Sequence, residues 1–283
     1  MGLRSSIKKK IESILKGVAA REQVNVPLLA GSLLEGKCAL ITGGTSGIGL
    51  AIAEAFLRNG ASVTVAARSQ SDIDDVVSKL SDLGSIRGER IDVSSPSSIS
   101  TGVAQSFDSM GRVDILVNSA GIIGKCKFGS IEPDEFDRVI DTNLRGTAMI
   151  SQEVARLMVD RGIRGNILNI ASSSGLRPAT TAYMMSKWGV RGLTLGMAKA
   201  LITHGIVVNG LAPGPTATAM LGMDGESDLT NPAVPAGRYA TPEEVADMAV
   251  VLTSSIGRMV VGDVVYMTGG SGLLTYDDIR YGF

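Results

Sequence analysis

Aromatic residues, histidine and cysteine are all scarce in this 283-residue sequence. Aromatics account for 4% of the chain, so its core has to be built from aliphatic side chains. The single histidine, His204, is too little for a histidine-based metal site, and we expect no bound metal. The two cysteines, Cys38 and Cys126, lack the spacing of a zinc site or a disulfide framework. This cysteine usage favours a reducing compartment and predicts a cytoplasmic protein.

Excess charge and long apolar runs are also missing. The formal net charge is −1, so there is no basic excess to attract nucleic acid. No apolar stretch reaches the roughly 18 residues that a membrane span needs. The N-terminus lacks the uninterrupted apolar core of a signal peptide. What the chain does have is glycine, 35 residues of it, which indicates tight turns and close backbone approaches.

Residues 1–36 differ in character from the rest, and we interpret them as an amphipathic arm preceding a domain over 37–283. Ile7, Ile11, Ile14 and Val18 recur at helical spacing among lysines. The arm has three interpretations: packing on a partner subunit, a frayed tail, or a helix lying on an anionic membrane face.

From residue 37 onward, short apolar runs alternate with longer helical stretches. The runs cover 38–41, 63–66, 115–117, 167–170, 206–208 and 264–267. Strands that alternate with helices require a parallel sheet covered on both faces. We therefore predict an α/β fold with a single domain, a Rossmann-like doubly wound parallel sheet in three α/β/α layers.

The first run leads into the glycine-rich loop Thr42-Gly43-Gly44-Thr45-Ser46-Gly47-Ile48-Gly49, followed by a helix over 50–59. Its glycines allow a sharp turn and close approach to a pyrophosphate, and a helix N-terminus offers N–H donors and a positive dipole. An ordinary tight turn is the alternative, but strand, loop, helix and second strand in order favour dinucleotide binding. The residues expected to contact the cofactor here are Gly43, Thr45, Ser46, Gly47, Ile48 and Gly49.

Tyr183 and Lys187, in the stretch Tyr183-Met184-Met185-Ser186-Lys187, are four residues apart and share one helix face. A free tyrosine has a pKa of about 10, and a nearby ammonium would lower it. Tyr183 is then suited to give a proton to a carbonyl oxygen or take one from an alcohol. A surface helix pair is the other interpretation of this spacing.

The G-x-x-x-G-x-G loop, the Asn118-Ser119-Ala120-Gly121 stretch and the Tyr183–Lys187 pair together resemble the short-chain dehydrogenase/reductase family. The resemblance covers roughly residues 37–270 and is to the compact branch, with members like 3-oxoacyl-(acyl-carrier-protein) reductase. It implies an oxidoreductase that transfers a hydride between a nicotinamide and a carbonyl or secondary alcohol carbon. It also implies a homo-oligomer, a dimer or commonly a homotetramer.

The second strand ends in Ala67-Arg68-Ser69, where NAD-specific folds of this kind place a carboxylate. Arg68 can instead pair with a 2′-phosphate, and Ser69 and Ser46 add hydroxyl donors. NADP(H) is therefore favoured. NAD(H) stays the alternative, because an arginine stacked on adenine serves either cofactor.

The resemblance assigns further cofactor contacts. Asp92 and Val93 would meet the adenine, although Asp92 is also a candidate N-cap for the helix at Pro96. Asn118 would brace the central sheet, and Ala120 and Gly121 would leave room for the cofactor. The nicotinamide edge and its ribose would be held by Pro213, Gly214, Thr216, Thr218 and Lys187.

The resemblance also places Asn143 and Ser172 among the catalytic residues, with Tyr183 and Lys187. Ser172 would polarise the substrate carbonyl at a strand end, with Ser173 as second choice and a simple turn cap as the other interpretation. Asn143 would sit at a helix kink that holds a water linking Lys187 to solvent; its residue type alone indicates only a helix interruption.

Two features bear on the substrate. Residues 219–237 are typical of a flexible lid, with methionines that adapt to apolar shapes. Arg177, Lys125 and Lys127 either favour an anionic substrate group or are solvated loop charges.

The alternatives to an NADP(H)-dependent reductase are an NAD-dependent alcohol, polyol or sugar dehydrogenase working oxidatively, and a non-catalytic cofactor-binding scaffold.

Overall fold

The computed structural model describes residues 31–223 and 228–272. Most of the predicted arm, residues 1–30, lies outside them, so its helix and the boundary at 36 stay predictions. The last residues before 37 pack on the domain. The Leu34 side chain is fully buried, and its amide donates to the carbonyl of Asn59 at 3.0 Å.

A sheet of seven parallel strands in the order β3-β2-β1-β4-β5-β6-β7 forms the centre of the fold. The strands are β1 (Cys38–Thr42), β2 (Ser62–Ala67), β3 (Ile86–Arg90), β4 (Ile115–Asn118), β5 (Asn166–Ile170), β6 (Val207–Pro213) and β7 (Val264–Met267). This topology confirms the predicted doubly wound α/β fold.

Helices cover both faces of the sheet because successive strand residues point to opposite sides. Ala39 and Ile41 enter one core with α1 (Gly47–Arg58), α2 (Gln70–Leu80) and α7 (Pro242–Thr253). Leu40 enters the other core, with α3 (Pro96–Met110), α5 (Gly146–Asp160) and α6 (Ala182–Leu201). The short helix α4 (Pro133–Ile140) precedes α5. None of the described helices has both the length and the apolarity for crossing a bilayer.

Two details differ from the sequence prediction. Strand β6 continues to Pro213, well past residue 208, because Gly210 to Pro213 pair with β7. The N-cap of α3 is Ser95, whose hydroxyl accepts from the amide of Ser98, so Asp92 does not cap this helix. Asp92 instead closes a turn, with its carboxylate accepting from the amide and hydroxyl of Ser94.

A buried amide network holds the middle of the sheet. The Nδ2 of Asn118 donates to the Oγ of Ser151 and to the Oδ1 of Asn169, both at 2.8 Å. The Nδ2 of Asn169 donates to the Oγ1 of Thr194 at 2.9 Å. These bonds tie β4 and β5 to α5 and α6, the elements that carry the candidate catalytic residues.

We predict that Asn169→Ala lowers the free energy of unfolding by about 2–3 kcal/mol, because it leaves the buried amide of Asn118 with one partner fewer and opens a small void. Urea denaturation followed by circular dichroism measures this. The matched control is Asn166→Ala on the same strand, where the side chain is half-buried and we expect a loss below about 1 kcal/mol. Equal losses in the two variants would show that the network does not stabilise the sheet.

Candidate active site

A cleft of about 390 Å³ opens at the carboxyl ends of the strands, where β1 lies between β2 and β4 and the chain order reverses. Parallel sheets bind their ligands at such switch points. Of the residues predicted from the sequence, the cleft is lined by Gly43, Ser46, Gly47, Ile48, Ala120, Gly121, Ser172, Ser173, Arg177, Tyr183, Lys187, Pro213, Gly214, Thr216 and Thr218.

The glycines of the loop allow a close packing of backbone on backbone that side chains would prevent. Gly43 has a φ of +64°, and a Cβ there would lie 2.8 Å from the backbone of Ala120. A Cβ on Gly49 would lie 2.1 Å from the carbonyl oxygen of Gly43. The Ser46 hydroxyl makes no capping bond to α1, so it leaves the first amides of this helix available at the cleft. These features fit the phosphates of a dinucleotide.

The remaining predicted cofactor residues lie outside the cleft lining. Thr45, Gly49, Val93 and Asn118 are half-buried or buried behind it. The Ser69 hydroxyl caps α2 by accepting from the amide of Asp72, so this oxygen is already engaged.

The exposed Arg68 follows β2 and has a neighbour that the sequence did not reveal, Arg90 at the end of β3. The Nε of Arg90 donates to the carbonyl of Arg68 at 3.2 Å. Burial alone would raise the pKa of Asp92, but the bonds from Ser94 and the charges of Arg68 and Arg90 hold that pKa below its usual value. Two guanidinium groups therefore mark this end of the sheet. Arg90 is the last residue of β3, and the pairing of β3 with β2 brings it beside Arg68.

Ser172, Tyr183 and Lys187 come together at the end of β5 and the start of α6. Thr181 caps α6 by accepting from the amide of Met184, which puts Tyr183 in the first turn. The Ser172 side chain lies close enough to the Tyr183 phenol to lower the pKa of that phenol. The Nζ of Lys187 donates to the carbonyl of Ile170 at 2.8 Å and lies 5.6 Å from the centre of the Tyr183 ring.

Burial is the main influence on the pKa values of Tyr183 and Lys187. It raises the pKa of the Tyr183 phenol, while Ser172 opposes the rise. It lowers the pKa of Lys187 from 10.5 to about 8. The expected lowering of the Tyr183 pKa by its neighbouring ammonium is therefore not found. As the pH rises, Lys187 therefore loses its proton before the phenol does.

Asn143 lies in a single π-helical turn, Asp141–Arg145, between α4 and α5, so the helix interruption is present. Its side chain is buried and pairs with both the amide and the carbonyl of Ile122, at 2.8 and 2.9 Å. Its Nδ2 also donates to the Ser186 hydroxyl at 3.2 Å. Asn143 thus connects the loop after β4 to the helix that carries Tyr183.

The loop residues divide into two groups. Ala219, Met220 and Leu221, the first part of the predicted lid, line the cleft, as do Ile123 and Pro215, which the sequence did not single out. Lys125 and Lys127 do not line it. Residues 224–227 of the predicted lid lie outside the described residues. His204 is exposed in the turn after α6.

We predict that Lys187→Met stabilises the fold by about 1–2 kcal/mol at neutral pH. The lowered pKa corresponds to a cost of about 3 kcal/mol for holding the buried charge, partly offset by the bond to Ile170 that the variant loses. The unfolded chain keeps the ordinary lysine pKa, so the wild type gains stability as the pH rises from about 8 towards 10.5. The advantage of the variant should therefore shrink over that range.

Thermal denaturation of wild type and variant across this pH range measures the difference. Lys199→Met, at an exposed position of the same helix, is the control and should show no such pH dependence. A Lys187→Met protein that is less stable than wild type, or whose advantage grows with pH, would contradict the assignment of a buried charge.

Comparison with known proteins agrees with this architecture. The family model for short chain dehydrogenases matches residues 37–228. Gluconate 5-dehydrogenase of Gluconobacter oxydans is 37% identical over 244 residues, covering 84% of this chain and 95% of that protein. The 3-oxoacyl-(acyl-carrier-protein) reductase of Vibrio cholerae is 35% identical, covering 84% and 98%.

A 3alpha-hydroxysteroid dehydrogenase of Mediterraneibacter gnavus is 32% identical over 246 residues, covering 84% of this chain and 98% of that protein. The crystal structure of a short-chain type dehydrogenase/reductase from Mycobacterium marinum superposes with a TM-score of 0.78 at 34% identity, covering 84% and 96% of the two chains. The matched region holds the glycine loop, Ser172, Tyr183 and Lys187. The chain therefore belongs to the short-chain dehydrogenase/reductase family, oxidoreductases that use a pyridine nucleotide to interconvert CH–OH and C=O groups.

Proposed function

We propose that this chain is an NADP(H)-dependent carbonyl reductase in which Tyr183 is the general acid. The observation that carries the proposal is the contact of the Tyr183 phenol with Ser172, beside the buried Lys187, in one cleft with the glycine loop. A proton donor, a second hydrogen-bond donor and a cation thus converge where a substrate oxygen would bind.

The proton that Tyr183 carries at neutral pH supports the reductive direction. A bound nicotinamide supplies the hydride that reduces the carbonyl carbon. Tyr183 is neutral at neutral pH and so has the proton that the developing alkoxide needs. The Ser172 hydroxyl binds the same oxygen and polarises the carbonyl. Lys187, still largely protonated below its pKa of about 8, stabilises the phenolate left behind.

The other site residues position these groups in the proposal. Asn143 fixes the start of α6 through Ser186. The glycine loop would hold the cofactor's phosphates and Asp92 and Val93 its adenine. The nicotinamide edge would be held by Pro213, Gly214, Thr216 and Thr218. Lys187 has donors left for the ribose hydroxyls, since its one described bond is to Ile170.

NADP(H) is proposed over NAD(H) because Arg68 and Arg90 lie together where a 2′-phosphate would bind. The alternative is an NAD-dependent dehydrogenase that works oxidatively. Its support is the names of two relatives, gluconate 5-dehydrogenase and 3alpha-hydroxysteroid dehydrogenase.

We also propose that the chain forms a homo-oligomer, with a tetramer as the family precedent. Large apolar side chains are exposed on α5 and α6, namely Met149, Trp188 and Leu195. Monomeric proteins seldom leave such a face open to water. Light scattering of wild type and Leu195→Asp tests this, and a wild-type monomer would rule it out.

The cytoplasmic location rests on composition and stays a prediction.

Tyr183→Phe should lower kcat for ketone reduction by about 100- to 10,000-fold, because only the proton donor is lost, and leave the Kd for NADPH within about threefold. Steady-state NADPH oxidation and a fluorescence titration measure the two quantities. Tyr239→Phe, which removes a phenol outside the cleft, is the control. In the wild type, reduction should slow above about pH 8, as Lys187 loses its proton. A Tyr183→Phe enzyme that retains most of its turnover would exclude the proposed mechanism.

Arg68→Ala and Arg90→Ala should each raise KM for NADPH by about tenfold or more, because each removes a charge-assisted bond to the 2′-phosphate. KM for NADH should change by less than about threefold, since NADH lacks that phosphate. The control is Arg87→Ala, an exposed arginine on the same strand as Arg90. A wild-type preference for NADH would reject the NADP assignment.

A further inference from the structure

Arg177 is a cation in the cleft that the proposed mechanism does not use. Among the described residues that line the cleft, Arg177 and Lys187 are the only charged ones, and no carboxylate faces them. Lys187 is buried beneath Tyr183 and has a role there. Arg177 lies on the segment between Ser172 and Tyr183 and lines the cleft together with them.

Hydrogen bonds hold both the guanidinium and the backbone of Arg177. Its Nη2 donates to the carbonyl of Ser271 at 3.0 Å. Its own carbonyl accepts from the Nε1 of Trp188 at 2.8 Å, which fixes the backbone against α6. Within the described part of the chain it makes no ion pair, unlike Arg112, Arg156 or Arg238. A guanidinium has five N–H donors, so one bond to a carbonyl leaves enough for a bidentate partner.

The remaining mouth of the cleft is apolar. Ile123, Met220 and Leu221 line it and are each 43–52% exposed. A cleft with one positive wall, an apolar rim and no negative charge favours a ligand that combines an anionic group with an aliphatic body. A neutral polyol would leave the guanidinium without a partner inside the cleft and the apolar rim in contact with water.

From these contacts we infer that Arg177 selects carbonyl substrates that carry a carboxylate, which it binds in a bidentate fashion while Ser172 and Tyr183 hold the carbonyl oxygen. This inference rests on the proposed reductase function and adds its substrate class: oxo acids of aliphatic character. Arg177 is thus a specificity-determining residue at the substrate end of the cleft, separate from the two arginines at the adenosine end.

The test compares oxo acids with their methyl esters, which keep the ketone and remove the charge. The pairs are pyruvate, acetoacetate and levulinate with methyl pyruvate, methyl acetoacetate and methyl levulinate, so that the carboxylate-to-ketone distance varies. We measure kcat/KM from NADPH oxidation for the wild type, Arg177→Gln and Arg177→Lys. The matched control is Lys127→Gln, which removes an exposed cation that does not line the cleft.

At least one acid should exceed its ester by about tenfold or more in the wild type and in Lys127→Gln. Arg177→Gln should remove that preference by lowering kcat/KM for the acid alone, and Arg177→Lys should keep part of it. Equal use of acids and esters by the wild type, or an equal loss for both in Arg177→Gln, would overturn the carboxylate role and leave the reductase function intact. Turnover of none of the six compounds would overturn both.

A binding measurement separates recognition from catalysis. Trp188 is the sole tryptophan of the chain and bonds directly to Arg177, so its fluorescence reports on this loop. In the presence of NADP⁺, pentanoate should change the emission in a saturable way and pentanamide should not. Arg177→Gln should abolish the response. A response to both compounds, or a response that survives in Arg177→Gln, would show that the carboxylate binds elsewhere.

Discussion

The ammonium of Lys187, buried against the carbonyl of Ile170, is the contact around which the site is organised. It joins the end of β5 to the first turns of α6, and so it sets where Tyr183 and Ser172 stand relative to each other. Holding a charge in this place is unfavourable, as the lowered pKa of Lys187 indicates. An apolar side chain at this position would make the fold more stable than the buried lysine does. Charged groups that destabilise the fold in this way are typical of functional sites.

Other buried hydrogen bonds hold in place the strands and helices on either side of that contact. The network of Asn118, Ser151, Asn169 and Thr194 fixes β4 and β5 to the helices behind them. Asn143, in its π-helical turn, links the loop after β4 to Ser186 on the catalytic helix. Hydrogen bonds between buried polar groups limit the alternative packings of these elements, so the catalytic groups are preorganised before any ligand binds.

Positive charges lie at two separate places along this edge of the sheet. Arg68 and Arg90 meet where β2 and β3 end, and Arg177 stands near Ser172 and Tyr183. Between them the glycine loop offers backbone amides rather than side chains. The relatives differ in their named substrates, a sugar acid, a steroid and an acyl thioester among them. Such variety on one scaffold fits a constant catalytic centre with variable walls.

The sequence by itself determined the order of strands and helices, the glycine loop, and the Tyr183–Lys187 spacing. These are local features, governed by the periodicity of apolar residues and by backbone freedom at a few glycines. Only the tertiary structure decided which charges share a site and how they ionise. Arg90 reached Arg68 through the pairing of β2 with β3, and Arg177 lined the cleft while Lys125 and Lys127 did not. The pKa of Tyr183 moved opposite to the expectation from spacing because burial, which depends on elements far apart in the chain, raises it and outweighs the opposing effect of Ser172.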